Sequence, residues 1–246
     1  MVKPNLWIWC KTKASKLAEA TVDETGSSRF IGEYVTLAIY ERMATLREVG
    51  AGVALWANAT HVLKKLDVLE EALSEGDRVT NYQFFSQKGK ELMNLRVDGF
   101  EVPAIAIHRA DLQALLWRKL PLEQTTLGQS FERFEQFGDK VSSHFSSSLT
   151  DEGDALIGAD GLRSRVRSQL FGDAKPIYRG MTAYRGLTNN IPNTYKPGYI
   201  YEFLGAGKGF GFVTIKTKNL NSYTGKRVDV QEKNSPFSFP LFPFPE

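Results

Sequence analysis

Apolar residues recur along the chain with two spacings, which together predict a succession of strands and helices. Residues 35–40 form an unbroken run of β-branched, aromatic and small residues, typical of a strand that is covered on both faces. Between residues 57 and 74 the apolar positions return every three or four residues, which predicts one amphipathic helix that stops at Gly76. The apolar stripe of this helix consists of Val62, Leu66, Leu69 and Leu73.

The middle of the chain predicts short strands and a second helix. Residues 79–107 carry strand patterns, and Asp111 is placed to cap the N-terminus of a leucine-rich helix. Residues 131–145 predict a hairpin that turns at Gly138 and Asp139.

A short strand at residues 154–157, a glycine-bracketed turn and a helix over residues 162–170 come next. Three further strands are predicted at residues 178–187, 199–204 and 210–215, the last two joined in a glycine-rich hairpin. The two ends lack this periodicity. We predict no regular structure for residues 216–246, which are polar and then alternate Phe with Pro, and no clear strand within residues 1–32.

Composition narrows the class of protein. With 42% hydrophobic and 24% charged residues among 246, the chain is typical of a globular protein, and its net charge of +3 does not predict nucleic-acid binding. The single Cys10 excludes an internal disulfide framework, and the three widely separated histidines predict no metal site. No apolar run is long enough for a transmembrane helix and no signal peptide is recognisable, so we predict a cytoplasmic location.

Glu41 is the first candidate for chemistry, because it ends the predicted buried strand. An acidic side chain in that position of a doubly wound sheet accepts hydrogen bonds from the hydroxyls of a nucleotide ribose. The alternative is a solvated glutamate at a strand end, and the residue alone does not decide between the two.

Two arginines are candidates for binding an anion. Arg47 could pair with a phosphate or a flavin edge, and Gly50 and Gly52 permit a close backbone approach, although a flexible surface turn explains the same loop. Arg109 directly precedes a predicted helix, where a guanidinium and helix amides together attract anions; the alternative is a surface arginine.

The most informative segment runs from Asp154 to Arg167, with the sequence DALIGADGLRSRVR. Here a strand, a Gly-Ala-Asp-Gly turn and a helix start bring Asp160 close to the first helical amides, while the glycines leave room for a diphosphate or a ribityl chain. The alternative is a tight turn that is held by an aspartate cap.

Four segments in this order resemble one family: YER at residues 40–42, LREVGAG at residues 46–52, HR at residues 108–109, and the segment around Asp160. Over about residues 33–215 they are similar to FAD-dependent monooxygenases of the para-hydroxybenzoate hydroxylase type, with salicylate-hydroxylase-like and zeaxanthin-epoxidase-like members most alike. The resemblance implies an α/β (α+β) fold with an incomplete, three-layer, Rossmann-like FAD-binding domain and part of an antiparallel substrate domain.

The resemblance also implies a set of cofactor contacts. Glu41, with Arg42 beside it, would bind the adenosine ribose, and Arg109 would reach the diphosphate or the ribityl chain. Asp160 and Gly161 belong to a motif that serves FAD and NAD(P)H together. Along the flavin side would lie Arg47, Gly50, Ala51 and Gly52. The implied reaction is hydroxylation or epoxidation of an aromatic or unsaturated small molecule by a flavin hydroperoxide with NAD(P)H as co-substrate, and no catalytic side chain is assigned.

The family's opening strand and Gly-x-Gly-x-x-Gly loop are absent from residues 1–32, and Gly172–Pro176 only imitates its later Gly-Asp motif. We therefore expect both ends to be truncated or altered, for example by a shifted reading frame, and FAD binding to be weak or lost. The predicted organisation is an atypical segment (1–32), a partial FAD-binding domain (33–172), the start of the substrate sheet (173–215) and a tail (216–246). The alternatives are an inactive remnant that binds at most a nucleotide or another chain, and an unrelated β-rich ligand-binding protein.

Overall fold

A computed structural model gives the fold of residues 6–12, 35–45, 51–178, 180, 182–188, 194–215 and 220–225, with the backbone alone for residues 6–12, 35–36 and 220–225. These residues form sixteen strands, four α-helices and a 3-10 helix at Leu122–Gln124. The strands are β1 (Leu6–Thr12), β2 (Val35–Glu41), β3 (Gly52–Leu55), β4 (Asp77–Val79), β5 (Asn81–Ser86), β6 (Glu91–Arg96), β7 (Ala104–His108), β8 (Thr125–Leu127), β9 (Phe131–Phe137), β10 (Lys140–Phe145), β11 (Thr150–Gly153), β12 (Ala155–Ile157), β13 (Tyr184–Thr188), β14 (Tyr199–Gly205), β15 (Lys208–Ile215) and β16 (Leu220–Gly225). The helices are α1 (Ala57–Lys65), α2 (Leu69–Glu75), α3 (Arg109–Arg118) and α4 (Arg165–Phe171). This mixture of helices and several sheets confirms the predicted α/β class.

The chain divides into two compact units that alternate along the sequence: residues 1–46 with 120–177, and residues 47–119 with 178–246. We call them the first and the second unit. The boundaries between an FAD-binding and a substrate domain at residues 33, 173 and 216 remain a prediction.

The first unit contains a four-stranded sheet in the order β12-β1-β2-β8 and a three-stranded sheet in the order β11-β10-β9. Tyr40, Phe131, Phe145 and Val166 form its buried apolar cluster. Helix α4 lies along β9, where the Gln169 side-chain amide donates to the Phe134 carbonyl (2.6 Å) and accepts from the Phe134 N–H (3.0 Å). The glutamine thereby satisfies backbone groups on the outer side of an edge strand.

The second unit contains the three-stranded sheet β3-β7-β4 and the six-stranded sheet β13-β16-β15-β14-β5-β6. All five residues of β7 are buried, as expected for a central strand. Its helices cover an apolar core that includes Leu63, Leu69, Ala72, Ile105 and Leu115. In the six-stranded sheet the pairing is antiparallel except between β14 and β5.

The structure corrects the helix predicted over residues 57–74. Two helices, α1 and α2, replace it, and Asp67 between them has a left-handed backbone with φ 55°. Because the chain changes direction there, half of the predicted stripe turns outward: the exposed fraction is 51% for both Val62 and Leu66. A periodic pattern cannot reveal such a break when the breaking residue is not glycine or proline.

Helix starts and terminal segments need correction as well. Helix α3 starts at Arg109, so Asp111 lies in its first turn rather than at its cap, and α4 starts at residue 165 rather than 162. Strand β13 starts at residue 184, later than predicted. Strand β1 lies where we predicted no clear strand, and β16 lies where we predicted no regular structure. β1 pairs with the distant β12 and β16 with the distant β13, which a local pattern does not show, although β16 also forms a hairpin with its neighbour β15.

Candidate active site

Glu41 and Asp160 lie at the same edge of the four-stranded sheet. Strand β1 pairs antiparallel with both β2 and β12, so the carboxyl ends of β2 and β12 point to one edge. Ile8 pairs with Ile39 on one side and with Ile157 on the other, so Ile39 and Ile157 lie at the same height in the sheet. Glu41 and Ala159 each follow two residues later, towards the same edge. Two strand spacings separate their backbones, about 10 Å. The sequence-predicted pair is thus brought together at one edge of the first unit.

Glu41 is almost completely buried, with 1% of its surface exposed. One carboxylate oxygen accepts the Met43 N–H at 2.8 Å, and the Glu41 carbonyl accepts the Gln129 N–H at 3.0 Å. Burial raises the pKa of the Glu41 carboxyl, although hydrogen bonding from Met43 and the charge of the neighbouring Arg42 oppose this shift. The effect of burial therefore outweighs the backbone hydrogen bonds that this carboxylate accepts from Met43 and Arg42.

Asp160 is as deeply buried as Glu41, with an exposed fraction of 1%. Its Oδ2 accepts a hydrogen bond from the Arg165 N–H at the start of α4. Its Oδ1 is buried and has no hydrogen-bond partner among the residues that the structure describes. A buried carboxylate oxygen without a donor is costly, so this oxygen needs a donor that the described residues do not supply.

Two glycines and a serine shape the turn around Asp160. Gly161 has φ 77°, a left-handed conformation that favours glycine. Ser164 caps helix α4 by accepting the Arg167 N–H at 3.0 Å. A Cβ on Gly158 would come within 2.7 Å of the Val166 Cβ, so the strand end and the helix approach as closely as glycine permits.

We expect Gly158→Ala to destabilise the chain by about 1–3 kcal/mol, because Val166 is buried, branched and unable to move away. Gly99→Ala is the matched control, since a Cβ there would meet nothing within 4 Å. Urea unfolding of both variants measures the difference. Equal stability of the two would show that the close approach at Gly158 is not a constraint.

The second unit brings a different group of predicted residues together. Gly52 pairs with His108 between β3 and β7, and the Arg109 N–H donates to the carbonyl of the buried Ala51 at 3.3 Å. Arg109 is half-buried at the start of α3. The predicted contact residues Arg47 and Gly50 lie outside the described residues, and Arg42 is half-buried next to Glu41.

The prediction did not single out the pair His108 and Asp111. His108 is buried with 4% exposed, and its Nδ1 lies 3.9 Å from the Asp111 Oδ2. The i, i+3 spacing of these residues across a helix start is the signal in the sequence, but Asp111 alone also fits the pattern of a helix cap. The pair lies directly beside Arg109 in sequence.

Neither a metal-binding cluster nor a membrane-spanning helix is present among the described residues. No group of three or more His, Cys, Asp or Glu side chains there is arranged to hold a metal ion. None of the helices that the structure describes is long and apolar enough to cross a membrane.

Comparison with known proteins identifies relatives in sequence and in fold. The chain is 32% identical to the aurachin C monooxygenase/isomerase of Stigmatella aurantiaca over 185 residues, which are 74% of this chain and 48% of that protein. It is 31% identical to the 3-amino-4-hydroxybenzoate 2-monooxygenase of Streptomyces cremeus over 209 residues, which are 80% of this chain and 52% of that protein. No family model matches the chain.

A solved structure with the same fold is that of Klebsiella pneumoniae HpxO complexed with FAD and uric acid, with a TM-score of 0.69 and 20% identity. The match covers 78% of this chain and 50% of HpxO. The chain spans about half the length of the curated relatives it matches. By sequence similarity, this protein is a relative of the FAD-dependent monooxygenases and carries part of their fold.

Proposed function

We propose that the chain binds FAD at the sheet edge that carries Glu41 and Asp160. The observation that carries this proposal is the buried Asp160 Oδ1, which lacks a donor inside the described part of the chain. Hydroxyls of a dinucleotide are donors of the required kind. Glu41 is buried, and burial raises the pKa of its carboxyl. It would accept hydrogen bonds from the adenosine ribose at the same edge.

The remaining contacts are proposed from the family resemblance. Arg109 would contact the diphosphate or the ribityl chain, and Ala51 and Gly52, together with Arg47 and Gly50, would line the flavin side. A guanidinium suits a diphosphate because it donates two parallel hydrogen bonds to neighbouring oxygens.

We propose that the protein acts as a monooxygenase on an aromatic or unsaturated small molecule, since the relatives are named as monooxygenases. The NAD(P)H co-substrate is proposed from the family resemblance alone. Bound FAD would supply the oxygen chemistry, while the side chains of this protein hold the cofactor and orient it. We also keep the cytoplasmic location as a prediction from the sequence.

A second candidate is an inactive remnant, which the direction of β1 favours. β1 runs antiparallel to β2 and β12, so its carboxyl end lies at the other edge of the sheet, away from Glu41. In dinucleotide-binding sheets the glycine loop follows a strand at the same edge as the acidic residue. β1 therefore does not supply a strand end at that edge from which a glycine loop could follow, and we propose that FAD binding by this chain is weak.

Visible absorbance and flavin titration of the purified chain test the proposal. We expect a nearly colourless protein that binds added FAD with a dissociation constant in the micromolar range or weaker. Each charge-assisted hydrogen bond that is lost should lower the affinity for FAD roughly tenfold or more relative to typical flavoproteins. NAD(P)H-dependent oxygen uptake in the presence of FAD and aromatic substrates would support the enzyme. Saturable FAD binding without oxygen uptake would support the remnant with an intact site. No FAD binding at any concentration would contradict the proposed FAD site and would leave only the remnant.

A further inference from the structure

Strand β6 is an open edge of the six-stranded sheet in the second unit. It pairs with β5 on one side, and no other described strand pairs with it. All six of its residues are exposed, among them three large apolar ones: Leu92 (55%), Met93 (44%) and Leu95 (43%). An edge strand with apolar side chains is a template for pairing with another strand.

The hydrogen-bond pattern fixes which backbone groups of β6 face outward. The Val97 N–H donates to the Thr80 carbonyl at 2.8 Å, and this bond flanks the pair Asn81–Arg96, which is therefore a non-hydrogen-bonded pair. Because such pairs alternate along an antiparallel ladder, the backbone groups of Met93 and Leu95 point to β5. Those of Asn94 and Arg96 point to the open side.

A bulge limits the regular part of this edge. The register shifts between Phe84, which faces Met93, and Phe85, which faces Glu91, so Leu92 has no residue opposite. A bulge interrupts strand pairing. The regular outward-facing ladder is therefore short and is centred on Asn94.

The apolar side chains of β6 continue a strip of aromatic rings on one face of the sheet. Met93 lies opposite Phe84 and Leu95 opposite Tyr82, so these four side chains share a face. Tyr82 stacks on Phe84 with ring centroids 4.2 Å apart, and its hydroxyl donates to Glu202. The strip is thus held in place on the inside and is uncovered at Met93 and Leu95.

We propose that β6 pairs antiparallel with β6 of a second copy of this chain, with Asn94 opposite Asn94. Outward-facing residues can hydrogen-bond only to outward-facing residues, so the two-fold axis passes through a residue position rather than between two residues. The bulge at Leu92 favours Asn94 as this position, because Asn94 is the centre of the regular part of the edge. Leu95 of each copy then faces Met93 of the other, in a non-hydrogen-bonded pair where side chains are closest. The apolar strip becomes continuous across the interface.

Charge supports a second copy in this orientation. One end of β6 carries Lys90 and Glu91, and the other carries Arg96 and Asp98, which are linked to each other by two hydrogen bonds of 3.2 and 2.8 Å. An antiparallel pairing brings these two ends together, so that each end offers both a cation and an anion to the other. A parallel pairing would put like charges beside each other.

The proposal predicts a specific difference between two double variants of the full chain. Met93→Glu with Leu95→Glu puts two glutamates opposite each other twice per dimer, and we expect the dissociation constant to rise by at least about tenfold. Met93→Lys with Leu95→Glu puts a lysine opposite a glutamate at both places. We expect it to dimerise more tightly than the first variant and to lose this advantage at high salt.

Sedimentation velocity over protein concentrations from about 1 to about 100 μM measures the association of the wild type and both variants. Leu66→Glu is the matched control, because Leu66 is 51% exposed but lies far from β6 in the chain, and we expect it to associate like the wild type. Circular dichroism establishes that the variants are folded. A monomeric wild type, unchanged association of the double-glutamate variant, or equal association of the two double variants would each overturn the proposal.

Discussion

Asp160→Asn is expected to lower the affinity for FAD by about tenfold to a hundredfold without destabilising the chain in the absence of the cofactor. A hydrogen bond to a charged group contributes about 1.5–3 kcal/mol, and about 1.4 kcal/mol corresponds to a factor of ten. The variant loses the negative charge that the buried Oδ1 would offer to a ligand hydroxyl. Its remaining oxygen can still accept the Arg165 N–H that holds the turn.

Comparing binding with stability separates a ligand contact from a structural role. If Asp160 serves only as a turn cap, Asp160→Asn should change neither the FAD affinity nor the free energy of unfolding by much. Asp160→Ala should then lower the free energy of unfolding and leave the FAD affinity unchanged. Flavin fluorescence titration and urea unfolding of both variants provide the comparison. Asp139→Asn, in the exposed hairpin turn between β9 and β10, is the matched control and should leave FAD affinity unchanged. Undiminished FAD binding by Asp160→Asn would remove the main support for the proposed site.

Glu41→Gln is expected to lower the affinity for FAD by about tenfold to a hundredfold, as for Asp160→Asn. It should also remove part of the pH dependence of FAD binding. The ionised carboxylate accepts hydrogen bonds from ribose hydroxyls more strongly than a neutral group does. Because burial raises the pKa of Glu41 in the free protein, binding FAD should release a proton and become tighter as the pH rises through that raised pKa. The glutamine variant cannot titrate, so its affinity should lack this rise.

The stability of the cofactor-free chain should respond to pH in the opposite direction. An acid whose pKa is higher in the folded state contributes stability that is fully present below the unfolded pKa and is lost as the pH rises through the folded pKa. Glu41→Gln should therefore gain stability relative to the wild type over that interval, while keeping an acceptor for the Met43 N–H.

Urea unfolding at a series of pH values above 4 measures this relative stability, and Glu132→Gln on the exposed part of β9 is the control. A difference between Glu41→Gln and the wild type that is constant across the series would contradict the assignment of a raised pKa to Glu41.

The amount that could be predicted from sequence differs between segments for physical reasons. Strand β2 and the hairpin of β9 and β10 follow from local patterning and turn chemistry, and the structure confirms both. The break between α1 and α2 was missed because it falls at Asp67, an exposed residue with a left-handed backbone, rather than at a glycine or a proline. Strand β16 was missed because its sequence is polar, and its partners β13 and β15 supply the pairing.

For the candidate site, the sequence determined which residues to consider: Glu41 after an apolar run, and Asp160 between two glycines. Residue type and local spacing were sufficient to select these two residues, together with the similarity of the surrounding segments to a family. Only the tertiary structure decided that the two carboxylates share a sheet edge, that one Asp160 oxygen finds no donor among the described residues, and that β1 runs antiparallel to its neighbours. Strand direction and burial arise from pairings between distant segments, and no local pattern in the chain encodes them.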